Sequence, residues 1–514
     1  MPITNQPAIG IDLGTTLSAI AVYDPAASKS ELIPNAEGDR LTPSAVFFAP
    51  DESLMVGEVA VGQAKRSPER VKRWVKRDMG NPAPISLGGR AFRPEEISAA
   101  ILRRLIADAE KYLGTSIKEA SITVPAYFNE PQRKATEDAA RIAGLEATHL
   151  VNEPTAAGLT FGLGGAVGEK FLVYDLGGGT FDVSVIAANE TGLEVLAHGG
   201  DTHLGGYDFD LFLAEHIATR FEEVHGLSPD PEDPAQQADW QDLLIEAEET
   251  KKKLSRLEEA IATARFEGER HDVVVSRAEF ESLIHPYLGR TKALTRQVLH
   301  DAEVKPEDIS TLLLVGGSTR IPACPGLLKE IFPHLDPLSS ISPDEAVAQG
   351  AAVRAWMLGG KSAGEMESLQ EVTAHSYGVL VREGPANAAG GMVNQVLIPA
   401  NTSIPCEVKE TFFTVDEDSN STEATVTVTQ GDGENPEEVQ RIAATVLDLP
   451  ANRPPGQAIA VTYFYDEQGR MHCKFEDQET GKTATLDHGD AAPQSMDPED
   501  VDRASDDIGK RDIH

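Results

Sequence analysis

Apolar runs that end in an acidic residue and a cluster of small residues recur along this chain. The run Phe171 to Tyr174 stops at Asp175, turns through Gly177, Gly178 and Gly179, and leaves through Thr180 into a second apolar run, a pattern that predicts a β-hairpin. Ala8 to Leu13 leads through Gly14, Thr15 and Thr16 into Ala19 to Tyr23 on the same plan, with Asp12 in the place of Asp175. Thr311 to Val315 predicts another strand, followed by a third glycine turn at Gly316 and Gly317. Helical spacing predicts helices over Pro94 to Leu113, Gln132 to Ala143, Phe209 to Phe221, Trp240 to Ala262 and Asp344 to Met357, and one starting at Asn152 to Thr155. From about Thr373 the pattern changes to short alternating segments separated by turns: Tyr377 to Val381, Val393 to Ile398, Thr411 to Val415, Ala424 to Thr429, Arg441 to Leu447, Ala458 to Tyr465 and His472 to Glu476. That spacing predicts an antiparallel β-sandwich.

At 514 residues the chain exceeds one hydrophobic core, so two to four domains are expected, and 40% hydrophobic residues suffice to fill them. A formal net charge of −38 argues against nucleic acid or an anionic membrane as partner, because phosphate neutralisation needs clustered Lys and Arg. The three cysteines, Cys324, Cys406 and Cys473, lie far apart without metal-ligand spacing and suit a reducing compartment. With neither a leader-like start nor a bilayer-length apolar run, a cytoplasmic location is expected.

Glycines at a bend let backbone N–H groups approach an anion, Thr180 offers a hydroxyl, and Asp175 and Asp182 suit a hydrated Mg²⁺. Taken alone, such a turn is more readily a surface turn without a ligand. The repetition at Asp12 to Thr16 changes that reading: two such hairpins facing each other across a cleft would grip a polyphosphate from both sides. Val71 to Arg77 is a basic cluster in an acidic chain, either a solvated helix face or the source of a lysine that reaches the phosphates. Glu153 is either a helix-cap residue or a carboxylate lining the cleft. The glycine loop Gly199 to Asp210 precedes a helix whose N-terminus serves phosphate or simply connects.

The stretches IGIDLGTT, VPAYFN, NEPTAA, DLGGGTFDVS, GDTHLGG, VGGSTRIP and DEAVAQGAA, in this order, resemble the nucleotide-binding domain of the heat-shock protein 70 chaperones, the DnaK-type family, over roughly Ala8 to Gly360. The C-terminal stretches LIPANTSIP, VTVTQGD and YFYDEQGRMHCKFEDQETGK resemble the same family's β-type substrate-binding domain. The resemblance implies an α/β chain with an actin-like two-lobed ATPase domain at 1–360, a linker at 361–372 and a β-sandwich at 373–486. In departure from the family, 487–514 is acidic and Pro-containing and reads as a disordered tail in place of a helical lid. Thr15 and Thr16 would touch the β- and γ-phosphates, with Gly14 in the same loop. Asp12 and Asp175 would hold Mg²⁺ through waters, and Gly177, Gly178, Gly179 and Thr180 would line the second phosphate loop. Glu153 and Asp182 would complete the polar end of the cleft. The phosphate lysine matches Lys76, with Lys72 as alternate, and Asp175, Thr180 or Glu153 would orient the attacking water. The adenosine side would be built from Gly316, Gly317, Ser318, Arg320 and Asp344, with Glu248, Lys252 and Ser255 reaching over. Pro125 and Arg133 match the residues that couple nucleotide state to the substrate domain.

Peptide would lie against Val379, Val381, Ala424 and Val426, with Phe413 a further candidate; packing inside the sandwich is the alternative for each. Leu17 and Tyr207 stand where the family commonly has polar and acidic residues. Gly359 to Val372 is polar where the family's linker is leucine-rich, and Arg382 to Gly391 is longer and smaller-sided than the family's turn over bound peptide. The implied function is an ATP-dependent chaperone that binds and slowly hydrolyses ATP to gate its hold on unfolded or client polypeptide. J-domain and nucleotide-exchange partners follow from the resemblance alone. The alternative is a nucleotide-switched module for one dedicated folded partner.

Overall fold

The computed structural model describes residues 7–162, 166–233, 235–338, 342–363, 366–383, 391–414, 422–451, 456–466, 469–487 and 496–514. Most of the stretch expected to arch over peptide, 384–390, lies outside them, as do 364–365 of the linker and 488–495 of the tail.

Two six-stranded sheets carry the first two thirds of the chain. In the first, Ile9–Asp12 pairs antiparallel with Leu17–Asp24 and parallel with Glu119–Val124, which pairs parallel with Ala147–Asn152. The helices Pro94–Leu113 and Glu130–Ile142 share its core. In the second, Lys170–Leu176 pairs antiparallel with Phe181–Ala188 and parallel with Thr311–Val315, and Gly192–Asp201 continues the sheet. Its helices are Gly206–His225, Gln237–Leu254 and Arg277–Asp301. A third core joins the two bodies through the helices Glu153–Gly162 and Ala346–Leu358. Small residues make that junction possible: a Cβ on Gly350 would lie 1.6 Å from the Ala156 carbonyl oxygen, and one on Gly10 would lie 2.1 Å from the Ala352 nitrogen. Both hairpins announced by their acid-and-glycine turns are present, at matching ends of the two sheets.

Beyond residue 376 two four-stranded antiparallel sheets share one core, in which Tyr377, Val379 and Val428 of one sheet meet Val461, Tyr463 and Phe475 of the other. The expected strands are found within a few residues of their expected ends, with the longest extension at Cys406–Phe413. A further strand, Thr483–Leu486, completes the second sheet.

Four stretches depart from expectation. The helix expected to reach Ala262 stops at Leu254, and Glu259–Phe266 is a strand paired with Glu269–Ser276. Its alternating exposure is the period-two pattern of a ribbon with one covered face. The basic cluster at 71–77 is no helix face; Val71–Arg73 is a strand and Val75–Asp78 a short 3₁₀ turn. The polar linker contains a strand, Ser368–Val372, which joins the second six-stranded sheet parallel to Gly192–Glu194. Finally, the tail expected to be disordered contains the helix Pro498–Gly509. Val501, Ala504 and Ile508 fall on one face at helical spacing and are buried in the first body's core, while Glu499 and Asp500 suit the helix N-terminus. Asp507 pairs with Arg90 at 2.6 Å. Residues 512–514 then run along Leu54–Val56, exchanging backbone hydrogen bonds of 2.7 to 3.0 Å and covering that strand's free edge.

Candidate functional site

The two hairpin turns and the third glycine turn converge on a cavity of about 890 Å³ between the two bodies, within the size range of small-molecule sites. Asp12, Gly14, Thr15 and Thr16 line it from the first hairpin, and Asp175, Gly177, Gly178 and Thr180 from the second. Glycine is needed where the turns meet: a Cβ on Gly178 would lie 2.1 Å from Thr16 Oγ1. The Thr180 carbonyl accepts from Gly177 N–H at 3.0 Å and closes the second turn. Ser318 Oγ donates to the Gly177 carbonyl at 2.8 Å, fixing the third turn to the second.

At the polar end, the Lys76 ammonium donates to the Glu153 carboxylate, both buried. Asp12 and Asp175 lie in the same field. Burial and then repulsion from Glu153 raise both carboxyl groups above their ordinary range, and Lys76 opposes the rise. Burial alone would lower the Lys76 ammonium, but Glu153, Asp12 and Asp175 outweigh it and hold the proton more tightly. Thr123 Oγ1 donates to Asp12 at 3.0 Å and aims it. One lysine thus faces the buried Glu153 and Asp175 and the half-buried Asp12, a cluster of acidic groups whose charge a bound cation relieves. Among the described residues no three acidic, His or Cys side chains are grouped to hold an ion directly.

Of the alternates for the lysine, Lys72 is spent on Asp78 at 2.6 Å outside the cavity, leaving Lys76 within it. Glu248, Lys252, Ser255, Gly316, Gly317, Ser318, Arg320 and Asp344 also line the cavity. Arg320 bonds Asp344 at 2.5 Å. Arg73, at 2.5 Å, and Lys252 outweigh the burial of Glu248 and draw its carboxyl down to about 2.

Two expected residues do not line the cavity. Gly179 backs onto the Thr15 side chain and Arg77. Asp182 accepts from the Tyr127 N–H at 3.0 Å, tying the second hairpin to the loop after Pro125 rather than pointing at a ligand. Burial and then Glu153 push its carboxyl up to about 8. The N-terminus of Gly206–His225 is also committed, since Gly206 and Tyr207 N–H donate to the Gly177 and Gly178 carbonyls at 3.0 and 2.7 Å. Sequence reasoning missed Asp210 and Lys251, which pair at 2.7 Å beside the cavity and also line it. Lys251 follows Glu248 on the same helix, and that spacing was the available signal.

The other expected residues lie where the C-terminal sheets meet the first body. The Arg133 guanidinium donates to Asn152 Oδ1 at 2.6 Å and to the Ala126 carbonyl at 3.3 Å, bracing the turn in which the Pro125 carbonyl accepts from Phe128. From that turn the Tyr127 ring meets His375 at 4.3 Å, tilted by 52°, and its carbonyl pairs with His375 Nε2 at 3.0 Å. Glu130, buried, accepts from the Tyr377 hydroxyl at 2.8 Å and the Tyr465 hydroxyl at 3.4 Å. In the linker strand, Glu371 meets His198 of the second sheet at 3.2 Å. Hydrogen bonding and charge from His198 outweigh burial and hold the Glu371 carboxyl below its ordinary range. Val379 and Val426 are buried in the core shared by the C-terminal sheets, whereas Val381 and Ala424 are half-buried. Phe413, for which packing inside the sandwich was the alternative, is 60% exposed.

The family model described as Hsp70 protein matches residues 8–86 and 81–512. A chaperone protein DnaK of Thermosipho melanesiensis is 40% identical over 499 residues, which cover 95% of this chain and 80% of that protein. Those of Thermosipho africanus and Thermotoga petrophila are 41% and 40% identical, over 93% of this chain and 79% of each. Because these matches run without interruption from the paired hairpins through the C-terminal sheets, the chain belongs to the Hsp70 family.

Proposed function

We propose that the cavity between the paired hairpins is the ATP site of this Hsp70 chaperone, and that its occupancy gates the hold of the C-terminal sheets on unfolded polypeptide. The observation that carries this reading is the convergence of three glycine turns on one cavity with Lys76, Asp12, Asp175 and Glu153 at its polar end. In this reading residues 1–360 are an actin-like ATPase of two lobes, 361–372 a linker and 373–486 a β-sandwich. The helix Pro498–Gly509 then belongs to the first lobe's surface and does not lie over the sandwich.

Thr15, Thr16 and the backbone of Gly177 and Gly178 would cradle the β- and γ-phosphates, and Lys76 would neutralise the γ-phosphate. Mg²⁺, held through water by Asp12 and Asp175, would supply further charge stabilisation. Thr180 and Glu153 would orient the attacking water, and Arg320, Ser318 and Ser255 would border the adenosine. Glu153 is engaged by Lys76 and is not free to act as a general base. Positioning and charge therefore carry the reaction, which suits slow hydrolysis used as a timer.

The message to the sandwich would leave through Asp182 to Tyr127 and through Asn152 to Glu371, which lie 3.0 and 3.4 Å apart. Client peptide would add to the sandwich by backbone hydrogen bonds beside Val381 and Ala424. J-domain and nucleotide-exchange co-chaperones, and a cytoplasmic location, belong to the same proposal; no helix among the described residues is long and apolar enough to cross a membrane. The test is ATP hydrolysis with and without an apolar peptide in wild type and Arg133→Ala. Peptide should stimulate the wild type and leave Arg133→Ala near its basal rate. Equal stimulation of both would remove Arg133 from the coupling, and none in either would overturn the gating.

A further inference from the structure

One short stretch of the first body reaches across the cavity mouth into the second. Trp74 follows the strand Val71–Arg73, yet its indole joins the hydrophobic core of the second sheet and its helices, only 9% exposed. It lies 4.6 Å from the ring of Tyr207, tilted by 50°. The Arg73 guanidinium sits 4.2 Å over the indole and donates to Glu248 at 2.5 Å. On the far side, the Arg77 guanidinium sits 5.0 Å from the Tyr207 ring and holds Asp208 with two bonds of 2.8 and 2.9 Å. Two cations and two rings thus form one stack, with both cations anchored on carboxylates of the second body.

The backbone marks this stretch independently. Trp74 has φ 58° and ψ 30°, a left-handed conformation that bulky residues rarely adopt unless their surroundings over-determine it. Here the cross-cleft contacts do so. Tyr207 lines the large cavity, and Trp74 lines an adjoining one of about 240 Å³. Thr15, Thr16, Leu17 and Glu248 border both, so the stack stands beside the cavity where residues of both bodies meet.

We propose that Trp74 and Tyr207 form an aromatic clasp across the cleft that sets how fast nucleotide leaves. This rests on reading the cavity as the nucleotide site. The clasp acts on opening and closing, touches none of the reacting atoms, and its residues are positioning residues. Because a contact made only when the bodies are closed slows opening more than encounter, its loss is read in the dissociation rate more than in the association rate.

The experiment measures binding and release of a fluorescent ADP by the full chain, in wild type, Tyr207→Phe, Tyr207→Ala, Trp74→Ala and the double alanine variant, with thermal unfolding as a control. Tyr207→Ala and Trp74→Ala should each release ADP about tenfold faster, equivalent to ~1.4 kcal/mol of lost closure. Tyr207→Phe, which keeps the ring, should stay within about twofold of wild type. The double variant should release no faster than the faster single one, because both remove the same contact. Failure of the wild type to bind ADP at all would overturn the nucleotide reading and the clasp with it. Normal binding combined with unchanged release in Tyr207→Ala, or with effects that multiply in the double variant, would overturn the clasp alone. Should Trp74→Ala unfold early, Tyr207→Phe against Tyr207→Ala decides the matter.

Discussion

In the cavity, each functional group arrives with its neighbours in sequence. Asp12, Gly14, Thr15 and Thr16 line it together, as do Asp175, Gly177, Gly178 and Thr180, because a tight turn places near neighbours in sequence on one wall. At the junction with the C-terminal sheets, consecutive residues take different partners: Tyr127 meets His375, Asn129 meets Gln440, and Glu130 meets Tyr377 and Tyr465. The cavity is assembled from short local stretches and the junction from single side chains hundreds of positions apart. A change in the cavity should therefore disable chemistry outright, while a change at the junction should leave chemistry intact and loosen its consequence.

The largest expected effect is Lys76→Ala. It removes the charge that faces Glu153, Asp12 and Asp175, and single-turnover ATP hydrolysis should fall about 100- to 1000-fold. A fall of less than tenfold would mean that the cavity works without the lysine and would erase the contrast with the junction.

Next comes acid. Burial, together with Arg133, lowers His375 to about 4 against the opposing pull of Glu130, Asp432 and the Tyr127 carbonyl. The docked histidine stays neutral, whereas an exposed one takes up a proton near its ordinary value of about 6.5. Docking is therefore undiminished above about pH 6.5 and weakens as pH falls toward 4, by up to about 3 kcal/mol. Hydrogen exchange at the Tyr377–Arg382 strand, followed from pH 7.5 to 5, should show this opening in wild type and a flatter profile in His375→Gln. Identical profiles would place the acid response elsewhere.

Glu130→Ala leaves the buried Tyr377 and Tyr465 hydroxyls without that acceptor, at a cost of about 1–3 kcal/mol. Peptide stimulation of ATP hydrolysis should drop in this variant while the basal rate stays near wild type. A matching drop in both would mean that the junction and the cavity are not separable. The smallest effect is expected from Asn129→Ala, whose half-buried bond to Gln440 is 3.0 Å long and worth about 0.5–1.5 kcal/mol. It should shift stimulation in the same direction as Glu130→Ala, by less.

The same contrast explains what could be read before the structure. The repeated acid-and-glycine turns and the third turn were visible from local pattern, whereas Lys76 and the cleft role of Glu153 came only with the resemblance to the family. Phe171–Ala188 needed nothing distant to declare itself a hairpin. The linker strand was hidden because its polar residues form no apolar pattern, and it is a strand through the edge of Gly192–Glu194 and through His198, which Glu371 does not announce. The C-terminal helix was partly legible. Val501, Ala504 and Ile508 are correctly spaced for a buried face, but the acidic residues around them outweighed that signal, and the groove that covers them belongs to residues some 400 positions earlier. Asp182 was expected at the polar end of the cleft, and nothing local foretold that it also accepts from the Tyr127 N–H.

The central claim is that nucleotide in the cavity governs the grip of the C-terminal sheets through the junction. It is tested most directly by the dissociation rate of a fluorescent apolar peptide, measured with ATP and with ADP bound, in wild type and Glu130→Ala. The account predicts rates that differ about 5- to 150-fold between the two nucleotides in wild type, the span of ordinary allosteric coupling, and that converge in Glu130→Ala with nucleotide affinity unchanged. Equal rates with ATP and ADP in the wild type would contradict it.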